Sequence, residues 1–140
     1  LKSLADSWKS ASICLSHDGR FLAASSGWER AVWETRHWTP LRFHSRVRPD
    51  GWPGPIGFGQ QGRLLAAARS RYLTQLEDPL TGTPLATLEA PDAGDVESLS
   101  ISGDDRYLAV CNKQRFVVWD LDALRSNLEQ LGLQWDERAR

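Results

Sequence analysis

Three consecutive residues, Ser16, His17 and Asp18, are the types used as nucleophile, general base and orienting carboxylate. Hydrolytic chemistry needs those partners brought together from separate elements, and neighbours in one tight turn cannot adopt that geometry. The run SHDGR therefore reads as a turn between strands, with Gly19 able to take positive φ. His37 and His44 flank a turn containing Pro40 and have no third ligand at metal spacing, which argues against zinc. GWPGPIGFGQQG contains GxG, but it precedes a strand pattern and opens no helix, so it fails as a phosphate loop. The acids within 92–97 lack the ordered spacing of a calcium loop and read as a solvated connection. Cys14 and Cys111 fall in expected strands without CxxC or Cys/His spacing. They read as small buried apolar residues in a reducing compartment. No catalytic residue, cofactor or metal ligand is assigned, and the chain itself is not expected to be an enzyme.

The elements around these residues are legible from alternation. Segment 98–120, SLSISGDDRYLAVCNKQRFVVWD, holds three period-two runs rich in β-branched and aromatic residues, separated by polar turns. Displacing the sequence by 43 residues aligns it with itself without gaps. SICLSHDGRFLAAS begins at Ser12, PIGFGQQGRLLAAA at Pro55 and SLSISGDDRYLAVC at Ser98. Leu22, Leu65 and Leu108 coincide, and eleven residues beyond them stand Trp33, Leu76 and Trp119, followed by Glu34, Glu77 and Asp120. A period in the low forties, several strands per unit and a terminal Trp-Asp mark propeller blades.

Each unit is expected to be an antiparallel meander. First strands fall at 13–15, 56–58 and 99–101, second strands at 21–25, 64–68 and 107–111. Third strands run to Trp33, Leu76 and Trp119, and outer strands are expected at 41–43 and 85–88. Small residues such as Ala23, Ala66 and Ala109 suit close sheet-to-sheet packing. After Asp120 the pattern changes: Leu121, Leu124, Leu128 and Leu131 form a helical stripe, with Asp122 as expected N-cap and Gly132 as stop. The resulting division is 1–11 as lead-in and remnant of a preceding blade, then 12–54, 55–97 and 98–120 as blades. A closing helix follows at 121–132 and a polar tail at 133–140.

With 17 basic and 18 acidic side chains the formal charge is −1, so nothing draws the chain toward nucleic acid or an acidic membrane. No apolar run is long enough to span a bilayer. The start, LKSLADSWKS, lacks the apolar centre of a signal peptide, which makes a cytoplasmic setting the default expectation. A first residue Leu1 and the absence of Met are what a piece of a longer polypeptide would show.

The segments SHDGRFLA, GDDRYLAV and VVWD, with the 43-residue period, resemble the WD40 repeat family over about 12–120. The tail LDALRSNLEQLGLQWD looks like the segment that closes the propeller in large bacterial members. The resemblance implies an all-β fold: a partial WD40-type β-propeller of three antiparallel blades ending in a short C-terminal helix. Two departures stand out. The family's Gly-His before the first strand is missing from all three repeats. The acid of its second turn is missing too, where the chain has SGWER, RSR and NKQR with Glu29 alone. Trp33 and Trp119 are therefore expected to act by burial, worth about 1.5–3 kcal/mol each. Three blades make an open arc, so either further blades precede Leu1 or arcs associate into a ring, with truncation preferred.

On such an arc the loops after the second and fourth strands share one face. They carry Trp28, Arg30, Arg69, Arg71, Tyr72, Lys113 and Arg115, joined by Arg46, Arg48 and Trp52. Arginine and aromatic residues converging there imply a surface for an acidic or phosphorylated peptide. The same residues also fit an ordinary solvated face. The expected function is a non-enzymatic protein-interaction scaffold at the C-terminal end of a larger propeller. The alternative is the regulatory or substrate-positioning propeller of a serine/threonine protein kinase, whose catalytic motifs would lie upstream. A propeller hydrolase or dehydrogenase would need convergent polar groups that these residues do not supply.

Overall fold

The structure, a computed structural model, describes residues 3–45, 51–89, 94–133 and 135. The described chain is mostly β, with three antiparallel sheets in sequence order and one short helix at the C-terminal end. Sheet one is the meander β1 (Ala11–Leu15), β2 (Phe21–Ser26), β3 (Glu29–Glu34) and β4 (Thr39–Ser45). Sheet two repeats it with β5 (Ile56–Phe58), β6 (Leu65–Ala68), β7 (Leu73–Glu77) and β8 (Pro84–Glu89). Sheet three has β9 (Ser98–Ile101), β10 (Tyr107–Cys111) and β11 (Phe116–Asp120), after which α1 (Leu121–Gln130) stands where an outer strand would be. The expected strands are all present, and the outer ones extend further than the apolar residues alone suggested. Pro40 lies inside β4, beside an irregularity at Val32/Trp33, and not in the preceding turn.

Sheets stack because each has apolar side chains on both faces. The first strands adjoin, β1 against β5 and β5 against β9. Between sheets one and two, Phe21, Ala23 and Val32 meet Ile56, Phe58, Leu65 and Ala67. Between sheets two and three, Leu64, Ala66, Ala68, Leu76 and Leu88 share a layer with Leu108, Val110 and Leu121. The alanines are needed at these contacts. Gly57 shows how close the approach is, since a Cβ there would stand 2.9 Å from Leu99 Cδ1.

The second sheet breaks the repeat in one respect. In sheets one and three the strand pairs are Leu22 with Trp33 and Leu108 with Trp119. The gapless alignment predicts Leu65 opposite Leu76, yet Leu76 pairs with Ala66 and Leu65 with Glu77. The cause is the turn. In the first and third repeats, Ser26 and Asn112 tie down the turn by accepting from the N–H groups two and three residues on. In the second, Ser70 does this, one place later than the repeat predicts, accepting from Tyr72 and Leu73 N–H. A one-residue slip sends every side chain of the strand to the opposite face. Leu76 therefore faces sheet three, whereas Trp33 faces the N-terminal segment of Leu4 and Trp8. The expectation that Trp33, Leu76 and Trp119 occupy equivalent places is corrected on this point. A further result follows for Leu76→Trp, which would match the other repeats by sequence. Leu76 is fully buried in the wrong layer for that indole, so the substitution is expected to cost about 1–3 kcal/mol through overpacking. Urea unfolding curves check the sign.

At the C-terminal end, the N-cap is Asp120 and not Asp122. Its backbone is extended, and its carboxylate accepts from Ala123 N–H at 3.0 Å, so the helix starts directly after the strand. Gly132 is the expected stop: its φ is +71°, with Gly132 N–H bonded to Glu129 O and Leu133 N–H to Leu128 O. Leu121, Leu124 and Leu128 face the core, but Leu131 is exposed. Trp135, within the stretch expected to be a polar tail, is buried in the same core with Arg125 above its ring.

Candidate loop surface for partner binding

The turn containing Ser16, His17 and Asp18 is held by its own polar groups. The Ser16 hydroxyl donates to Asp18 at 2.6 Å and accepts from Phe21 N–H at 2.9 Å, while Asp18 also accepts from Arg20 N–H. Ser102, Asp104, Arg106 and Tyr107 repeat this arrangement in sheet three. The hydroxyl bond first, then the N–H bond, holds both carboxyls below the usual range. His17 is exposed and takes no part. In the second turn, QQGR, Asp105 reaches across from sheet three and accepts from Gln60 N–H at 2.6 Å. These groups stiffen turns and build no reaction centre.

The opposite ends of the strands form a continuous row of loops. Gly27 abuts the backbone of Gly51 so closely that a Cβ would collide with it. Next to Gly51, the Trp52 ring lies beneath the Arg71 guanidinium at 5.5 Å. Arg71 O accepts from Val96 N–H at 2.7 Å, and Gly94 is pressed against the Asn112 side chain. Turns 27–28, 69–72 and 112–115 thus alternate with connections 51–55 and 94–97 along one edge. That row contains Trp28, Trp52, Arg69, Arg71, Tyr72, Lys113 and Arg115. Arg46 and Arg48 lie outside the described residues.

Its electrostatics are less uniformly basic than the sequence implies. Arg71 pairs with Asp95 at 2.7 Å, and Lys113 stands 3.9 Å from Glu97. Exposed pairs of this kind add little stability, but they lower the field available to an anion. Arg69 and Arg115 are exposed, as are Trp28 and Tyr72. Nothing in the connecting run EAPDAGDVE singles out Asp95 as the partner of Arg71.

Arg30 departs from expectation. It points between sheets one and two, where its Nη2 reaches Glu77 at 3.3 Å, and Arg42 Nη2 reaches the other carboxylate oxygen at 2.6 Å. Gln75 donates to Glu77 as well, at 2.9 Å. The register slip produces this cluster, because it turns Gln75 and Glu77 toward sheet one. Burial first, opposed by Glu77, holds the Arg42 guanidinium below its usual value. Burial and then the Arg42 charge hold His44 down likewise. His44 and His37 are both exposed residues, His37 lying beside Glu34.

Among the described residues no three His, Cys, Asp or Glu side chains are grouped to hold a metal ion. Cys14 and Cys111 carry free thiols and are half-buried. No described helix is long and apolar enough to cross a membrane. The chain matches no protein-family model and no curated protein sequence.

Proposed function

We propose that this chain is a non-enzymatic interaction module, an arc of a WD40-type β-propeller that offers its loop row to an acidic or phosphorylated peptide. The reading is supported by three successive meanders whose first strands adjoin and whose turns fall along one edge. The observation that carries it is the juxtaposition on that edge of exposed Arg69 and Arg115 with Trp28, Tyr72 and the Trp52–Arg71 stack. Guanidinium groups provide forked donors for carboxylate or phosphate, and the rings provide contact area at small entropic cost. A rigid sheet beneath the loops presents them without reorganisation.

Fluorescence anisotropy with a phosphoserine-containing acidic peptide library, and with its lysine-substituted counterpart, tests the proposal. Arg69→Glu combined with Arg115→Glu is expected to weaken binding of the acidic library at least about tenfold. Both side chains are exposed, so the unfolding midpoint should be unchanged. Equal affinity for the two libraries, or unchanged affinity in the folded double variant, overturns it.

A further inference from the structure

We propose that a small monovalent anion of the chloride class binds between sheets one and two, against the guanidinium groups of Arg30 and Arg42. Strand register gives the face of sheet one that looks toward sheet two a polar end. Ser25 of β2, Arg30 of β3 and His44 of β4 lie side by side there, and Arg42 stands beside Val32 in the next row. From sheet two, Gln75 and Glu77 reach toward them. The gap so formed is walled by Val32, Ile56 and Leu65, with Arg30, Arg42 and Glu77 inside and His44 at its rim. The turn between β7 and β8 closes over it. A Cβ on Gly82 would stand 2.0 Å from Arg42 Nη1 and 3.0 Å from His44 Nε2.

Donors exceed acceptors in this gap. Glu77 Oε1 accepts from Arg42 Nη2, and Oε2 accepts from Arg30 Nη2 and Gln75 Nε2. Arg30 Nη1, Arg42 Nε and Arg42 Nη1 are buried with no hydrogen-bond partner among the described residues. The side chains that carry them are 12 % and 10 % exposed. The Ser25 hydroxyl, opposite Arg30, is unpartnered as well and so does not supply the missing acceptor. Asp78 also attracts Arg42, but its Oδ1 accepts from Leu80 and Thr81 N–H within the turn. Buried donors left in this state are costly, and they are rare in folded chains. A water molecule accepts two such bonds but brings two protons that need acceptors of their own. An anion only accepts, and its charge offsets the excess of two guanidinium groups over one hydrogen-bonded carboxylate. The walls lie close together and are apolar, which selects a small ion of single charge over sulfate or phosphate. The gap is closed around its side chains, so seating the ion requires the flexible stem of Arg42, on edge strand β4, to yield.

The test is urea unfolding of the whole chain as sodium chloride replaces sodium gluconate at constant ionic strength, with chlorine NMR line width as the direct readout. Above the dissociation constant, each tenfold rise in chloride is expected to raise the folded-to-unfolded ratio about tenfold, while gluconate is too large for the gap. Arg42→Met is expected to abolish this dependence and the excess line width. Arg30→Met leaves Glu77 paired with Arg42 and is expected to do the same, so a folding defect in one variant does not decide the matter. Crystals grown in bromide are expected to show anomalous scattering beside Arg30 Nη1 and Arg42 Nε and Nη1. A wild type insensitive to chloride, a response unchanged in a folded arginine variant, or bromide at the surface alone (an adventitious ion only) overturns the proposal. Arg69→Glu with Arg115→Glu is expected to keep the full chloride response, so this site and the loop-surface reading stand or fall separately.

Discussion

Replacing Glu77 by alanine is expected to lower the unfolding free energy by about 3–5 kcal/mol, the cost of stranding buried charge. Glu77 is 2 % exposed and joins two guanidinium groups whose side chains are 10 % and 12 % exposed. Without the carboxylate both cations would remain between the sheets, having lost the only charge hydrogen-bonded to them among the described residues and leaving Arg42 only the weaker attraction of Asp78. Among the described residues Arg42 Nε and Nη1 and Arg30 Nη1 are already buried without a hydrogen-bond partner, and the cluster has no spare acceptor there. Small domains are stable by only about 5–15 kcal/mol, which makes this loss a large fraction of the whole. The companion variant decides the mechanism. Changing Arg30→Met, Arg42→Met and Glu77→Leu together removes the charges along with their need for one another, and is expected to be neutral or stabilising. If urea unfolding ranks the triple variant as low as Glu77→Ala, the side chains act through their shape and not through stranded charge.

The strands were legible because their residues alternate and their turns are punctuated. Tyr107, Leu108, Ala109, Val110 and Cys111 form a strand with the predicted limits, as do Ile56, Gly57 and Phe58. The register of the second sheet was hidden for a physical reason. A gapless repeat in sequence does not require a gapless repeat in pairing, because a turn can take up one residue without changing the strand text. The only local sign was a turn-holding residue, Ser70, one place beyond Arg69, where the repeat would put it. That same slip sets where the candidate surface departs from the sequence expectation. Arg30 has the right type and lies beside the right turn, but the carboxylate of Glu77 was brought within its reach by a strand pairing 47 residues away in sequence. The helix cap was obscured differently. Asp120 completes the repeat's terminal Trp-Asp in sequence, and it serves both strand end and helix start.

Trp33→Ala is expected to cost about 3–5 kcal/mol, and Trp119→Ala distinctly less, although the repeat places the two indoles alike. Burial, not sequence position, sets the difference. Trp33 is 3 % exposed, with Trp8 edge-on at 6.1 Å and Phe43 edge-on at 5.8 Å, and with Ala24 and Ala31 in the same cluster. Truncating it removes one partner from each aromatic pair and opens a cavity beneath the N-terminal segment. Trp8 also donates to Glu29 at 3.2 Å, a bond that depends on the segment staying docked. Trp119 is half-buried at the margin of the other core, where α1 and not an outer strand stands beside it. Its loss exposes surface that already meets solvent, and the helix can settle into part of the space. Thermal unfolding of both variants checks the order. Equal costs would mean that the repeat position governs, and a larger cost for Trp119 would place the stability of the chain in its helical end.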